Sequence, residues 1–135
     1  MSWITKNSAS ATVDRSQGPF LTQQMRQHLS QHIVPRYERK MGALLPTLHE
    51  VQHTYGWIPP AAMMEVAEFL EIKPADVIDT ASFYEEYWLK RKGKHLVSVC
   101  RSIACEFCGQ PAITQAVKDA LGIDVGETTA DNEFT

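Results

Sequence analysis

Residues 93–109 read GKHLVSVCRSIACEFCG and contain every cysteine of the chain: Cys100, Cys105 and Cys108. The stretch from His95 to Val99 is short, β-branched and preceded by a charged turn around Gly93, which predicts a strand. Beyond Cys108 the period changes. Ile113, Ala116, Val117, Ala120 and Leu121 trace one helical face that ends at Gly122. A strand that hands thiols to a loop entering a helix places them near unpaired backbone N–H groups and the positive end of the helix dipole, where thiolates are favoured. Three thiols are an odd number, and these lie too close in sequence for a structural framework, so a metal or redox role outranks disulfide bonding.

Taken alone, the loop fits four chemistries. An iron–sulfur cluster takes thiolate ligands, and C-x4-C-x2-C imitates the plant-type ferredoxin loop, although no fourth cysteine follows. Cys105-Glu-Phe-Cys108 is a C-x-x-C at a strand-to-helix junction, the layout of a thioredoxin-like dithiol. Zinc held by three cysteines needs a fourth donor; His95 is nearest, but it begins the strand and would need an unusual loop to reach. Cysteines that only pack complete the set.

Upstream of this stretch the chain reads as helices. Leu21, Met25, Leu29 and Ile33 recur every fourth residue until Pro35 discourages continuation. Leu44, Leu48, Val51 and Tyr55 repeat the pattern, with Gly56 at a C-cap position and Pro46 tolerated in the first turn. Trp57-Ile-Pro-Pro is a rigid corner, followed by a third helix marked by Met63, Val66, Ala67 and Leu70. Pro74 and Asp76 open a fourth, with Val77, Ile78 and Ala81 on its inner face. Residues 1–18 are rich in Ser, Thr, Asn and Gln without sustained periodicity, the composition of a flexible leader. The expected organisation is a leader over 1–18, a helical bundle over 19–82, and an α/β domain over 83–135 built from strand, cysteine loop and helix. The fold class is α+β.

Composition narrows the function. With 135 residues, 44% hydrophobic and 21% charged, the chain is globular in character, and a net charge of −3 leaves no basic stripe for nucleic acid. No apolar run approaches the roughly 20 residues that cross a bilayer, which predicts a soluble, cytoplasmic protein with no direct membrane insertion. His28/His32 and His49/His53 stand at i, i+4, but no H-E-x-x-H frame or third ligand accompanies them, so they read as structural histidines. Glu85 and Glu86 read as a solvated or subunit-facing surface rather than a paired acid/base site. Trp57, Phe83, Tyr84, Tyr87 and Trp88 read as core and domain-junction packing, with partner binding as the alternative.

Three stretches in order, LLPTLHEVQHTYGWIPPAAMMEVAEFL, IKPADVIDTASFYEEY and GKHLVSVCRSIACEFCG, carry a resemblance. From about Tyr37 to Thr135 the chain is similar to the 24 kDa subunit family of NADH:quinone oxidoreductase (respiratory complex I), shared with subunits of NAD-linked hydrogenases and formate dehydrogenases. The most specific marks are His53-Thr-Tyr-Gly-Trp-Ile-Pro, then Ala81-Ser-Phe-Tyr, then a strand into C-x4-C with Gly109 four residues on. The resemblance implies a helical bundle joined to a thioredoxin-like domain carrying one [2Fe–2S] cluster, held by this C-x4-C pair and a second, C-x3-C, pair. It implies Cys100 and Cys105 as ligands, single-electron exchange with a flavin, and NADH and FMN only on a partner flavoprotein subunit. Through that complex the protein would lie peripheral to the inner membrane. Hydrogen bonds from the loop after Cys100 and from the helix start near Gly109 would tune the cluster's potential.

The chain departs from the family's pattern in two respects. The segment resembled by GETTADNEFT leads, in the family, to the second cysteine pair, and this sequence contains no such pair, so the thioredoxin-like domain is expected to be incomplete. Cys108 falls on a position that is not a ligand in the family; it is an extra thiol or a substitute ligand. Two other roles stay open: a cluster-free docking module for the flavoprotein subunit, and a dithiol redox protein using Cys105 and Cys108.

Overall fold

The computed structural model describes residues 18–135, so the predicted leader lies, apart from Gly18, outside the described residues. The chain forms two compact units that divide between Lys90 and Arg91.

In the first unit, proline and glycine set the helix boundaries. Helix α1 spans Gln23–His28, capped by Thr22, whose hydroxyl accepts the Met25 N–H at 3.2 Å. Pro35 has no N–H to give Gln31, and the chain ahead of it widens into a π-type turn over Leu29–Ile33 before a 3-10 turn over Val34–Arg36. Helix α2 spans Leu44–Tyr55 and ends on Gly56, whose φ of 75° is the left-handed conformation that glycine adopts without Cβ strain. Pro46 sits in its first turn, where an N–H would have no intrahelical partner. Helix α3, Pro60–Leu70, is the central one and buries Ala61, Ala62, Met63, Val66, Ala67 and Leu70. It closes with Glu71 in the left-handed region and the Ile72 N–H on the Ala67 carbonyl at 3.0 Å. Helix α4, Pro74–Phe83, buries Val77 and Ala81. Ile78, expected on the same inner face, is instead 48% exposed, because one α-helical step from Val77 turns it about 100° away.

The fully buried Leu21, Leu29, Leu44, Leu48, Ile58 and Leu70 form the centre of the core. Each contributes about 1.5–3 kcal/mol on burial. Thr47, the one buried polar side chain among the described residues, donates to the Ala43 carbonyl at 2.7 Å. The core also takes in the segment after α4. Gln52 of α2 acts as a peptide-like bridge to it, donating to the Glu86 carbonyl and accepting the Trp88 N–H, both at 2.7 Å. The Tyr87 hydroxyl donates to the Leu45 carbonyl at 3.0 Å, and the Ile58 N–H donates to that of Trp88 at 2.8 Å. These bonds fasten residues 84–88 to the helices and carry the first unit past residue 82.

The second unit is built differently. Where a strand is expected over His95–Val99, the structure forms no full strand, because the segment pairs only at His95 and Val97, with Glu133–Thr135: His95 N–H donates to Glu133, Thr135 N–H to His95, and Val97 N–H to Thr135 at 2.7, 3.0 and 2.9 Å. This is parallel pairing around one bridge, His95 with Phe134, and among the described residues no longer ladder forms. The approach is close enough to require Gly93, since a Cβ there would lie 2.7 Å from the Phe134 backbone. Helix α5 spans Ile103–Phe107 and α6 spans Gln110–Leu121, with Gly109 (φ 94°) turning the chain between them and Gly122 ending α6. Among the described side chains of this unit none is fully buried; Val99, Val117, Leu121 and Ile123 are half-buried and line a groove of about 420 Å³ beside α6.

Candidate functional site

The cysteine loop is organised by Ser102. It is the N-cap of α5, with extended backbone (φ −68°, ψ 155°), and its hydroxyl accepts the Cys105 N–H at 3.4 Å. The same oxygen accepts from the Cys100 Sγ, also at 3.4 Å. One hydroxyl therefore holds the side chain of the first cysteine and the backbone of the second. Cys100 is exposed, and Cys105 is half-buried in the first turn of α5. Cys108 is exposed at the C-cap of α5, its N–H shared between the Ala104 and Cys105 carbonyls at 3.1 Å each. The expected loop thus contains a short helix of its own, and its start was readable from Ser102 followed by Ile103 and Ala104, a cap ahead of apolar residues.

The Cys100 thiol and the backbone of the turn that carries Cys105 meet on one hydroxyl, and two cysteine thiols are the donor chemistry of one half of a [2Fe–2S] site, which takes four ligands in all. The residues present fit that half. Among the described residues no three His, Cys, Asp or Glu side chains converge on a common point. His95, the proposed zinc donor, instead lies 3.9 Å from Glu133 and against the Phe134 ring at 5.4 Å. His28 and His32 stack on each other at 5.2 Å, and His49 packs on Tyr87 at 5.0 Å.

The other candidate residues separate clearly. Glu85 and Glu86 are both exposed. Tyr87 is buried, and burial, with the nearby Glu86 carboxylate and Tyr84 adding to it, pushes its phenol up to about 12. Phe83 is 80% exposed and stacks edge-on with Tyr84, so the aromatic set is only partly core. Ile103 and Phe107 of α5 are likewise open, at 74% and 88%. Lys118 and the Val125 N–H hold the Asp124 carboxyl below its ordinary range, with the Lys118 hydrogen bond the larger cause. That pair fixes the turn after α6. No helix among the described residues is long and apolar enough to cross a membrane.

Comparison with known proteins agrees with the loop chemistry. The chain is 34% identical over 105 residues to an NADH-quinone oxidoreductase subunit of Pseudomonas aeruginosa, an alignment covering 78% of this chain and 63% of that protein. Against the subunit of the same name from Aquifex aeolicus the identity is 34% over 112 residues, covering 83% and 69%. NADP-reducing hydrogenase subunit HndA of Solidesulfovibrio fructosivorans is 35% identical over 97 residues, covering 72% and 57%. The chain thus spans about two thirds of the length of these relatives, or less. A profile of thioredoxin-like [2Fe–2S] ferredoxins matches residues 30–135, a span that includes Cys100, Ser102 and Cys105, and the chain belongs to the thioredoxin-like [2Fe–2S] ferredoxin family.

Proposed function

We propose that this chain is the electron-transfer subunit of an NADH dehydrogenase-type complex, an oxidoreductase in which it is not catalytic alone. Cys100 and Cys105 bind iron of a [2Fe–2S] cluster. The observation that carries this is the C-x4-C pair joined by one serine hydroxyl within the family match. A cluster bound there supplies one-electron chemistry, accepting and giving single electrons. The protein's own contribution is placement: Ser102 fixes the first thiol and starts the helix that carries the second, and Gly109 turns the chain into α6. The remaining ligands are not a second pair in this sequence, whose only other cysteine is Cys108. The Arg91–Thr135 unit corresponds to part of a thioredoxin-like domain, with the bridged segment that begins at His95 in the place of one of its strands.

The partner we infer is a flavoprotein subunit that holds NADH and FMN. The exposed Phe83 and Tyr84 at the end of α4 and the exposed Ile103 and Phe107 of α5 are apolar surface that supports docking to another protein. The relatives' names, subunits of an oxidoreductase and of a hydrogenase, support membership of such a complex. The deciding experiment mixes the anaerobically reconstituted chain with that flavoprotein subunit and adds NADH, following bleaching of the iron–sulfur absorption. NADH-dependent bleaching is the expected result. A chain that carries iron yet is not reduced would refute the role. One that copurifies with the flavoprotein and takes up no iron would establish the second reading, a docking module.

A further inference from the structure

Electron transfer through Cys100 and Cys105 leaves Cys108 without a task. Cys108 stands three residues after Cys105, on the turn that ends α5, and its N–H is bonded to the Cys105 carbonyl at 3.1 Å. A helical turn of this kind brings side chains three apart to about 5–6 Å between Cβ atoms. A disulfide needs about 3.8 Å between them. The difference is a small closure, and it falls in a five-residue helix with no fully buried side chain, followed by Gly109. Cys108 is exposed and Cys105 half-buried, so both thiols can be reached from solvent.

We propose that Cys105 and Cys108 form a reversible disulfide, making the loop a dithiol site for small disulfides of the glutathione class, and that this bond withdraws Cys105 from iron. Cys108, the more exposed thiol, attacks one sulfur of the small disulfide and expels one thiolate. Cys105 then attacks the Cys108 sulfur and expels the second. One S–S bond is broken and one formed; the protein loses two electrons and two protons, and two molecules of small thiol carry them away. Cys105 is common to both states, so disulfide and metal-bound forms exclude each other. Reduction by a thiol restores the ligand. The pairing stands on the loop geometry; its consequence for metal loading rests on the proposed ligand role of Cys105.

The sequence makes the test clean. Trypsin cuts after Lys94, Arg101 and Lys118, placing Cys100 alone on HLVSVCR and both other cysteines on SIACEFCGQPAITQAVK. The full chain, treated with oxidised glutathione and then alkylated, is expected to fall from three reactive thiols to one, with the second peptide lighter by two hydrogens. Cys108→Ser should never show that loss and should stop at a glutathione adduct. A bond joining the two peptides through Cys100, or glutathione adducts alone on the wild type, overturns the pairing. In parallel, iron uptake is compared between the reduced chain and the oxidised chain. Uptake that falls to background on oxidation and returns with dithiothreitol supports the withdrawal of Cys105; equal uptake overturns it. A reduced chain that takes up no iron refutes the ligand role and with it the withdrawal, while the peptide map still decides the disulfide.

Discussion

Glu65 is the side chain whose loss should loosen the first unit most for the fewest atoms removed. It rises from α3 and accepts the N–H groups of Phe20 and Leu21 at 3.0 and 2.8 Å, with Arg26 flanking it at 3.8 Å. Phe20 and Leu21 are 8% and 1% exposed, so the bonded segment is the one that seats two core side chains ahead of α1. Hydrogen bonds to a charged acceptor contribute about 1.5–3 kcal/mol each. The Glu65 side chain is 21% exposed, which places both bonds at the low end, about 3 kcal/mol together. The flanking ion pair adds little, being partly open to solvent. Glu65→Ala is therefore expected to cost about 3 kcal/mol. Glu65→Gln, which keeps one acceptor oxygen but turns an NH2 group toward the other donor, should cost about half of that. Urea unfolding followed by tryptophan fluorescence reads the loss through Trp57 and Trp88, both of this unit, and hydrogen exchange reads it at the two amides. Wild-type unfolding of Glu65→Ala, with the Phe20 and Leu21 amides still protected, would refute the reasoning.

Two further perturbations probe other parts of the fold. Gly93→Ala places a methyl 2.7 Å from the Phe134 backbone, so the His95 and Val97 amides should lose their exchange protection while unfolding of the helical unit is unchanged; retained protection would contradict the close approach. For Tyr87 the phenol titrates near 12 in the folded chain against 10.0 unfolded. Its contribution is complete below pH 10 and drains away as pH rises through 12, by about 1–2 kcal/mol. Tyr87→Phe should flatten that part of the urea-midpoint profile while losing about 1 kcal/mol at neutral pH with the Leu45 bond. An unchanged profile in the variant would assign the slope elsewhere.

Punctuation and period made the helices legible. Pro74, Gly56 and the Pro59–Pro60 corner each mark a boundary that the fold keeps, because these residues act through their own backbone and need no distant partner. What depended on tertiary partners was less visible. Residues 84–88 carry no helical period, and it is Gln52 and the burial of Tyr87 that attach them to the helices. Ile78 shares an apolar arc with Val77 and Ala81, and nothing in a single sequence says how wide the buried arc is. Gly93 read as a turn residue; its tightest constraint is the Phe134 backbone, 41 positions away. At the loop, C-x4-C pointed to both cysteines, while Ser102, which bonds the thiol of the first and the N–H of the second, stood in the sequence only as a cap signal.

Ligation by Cys100 and Cys105 is the centre of the account, and iron bound after anaerobic reconstitution tests it most directly, with wild type, Cys100→Ser, Cys105→Ser and Cys108→Ser measured side by side under reducing conditions. The expected result is loss of iron, and of the EPR signal of a one-electron-reduced two-iron centre, in the Cys100 and Cys105 variants, and retention of both in Cys108→Ser. Iron that survives removal of Cys100 but not of Cys108, or that binds to none of the four proteins, would contradict it.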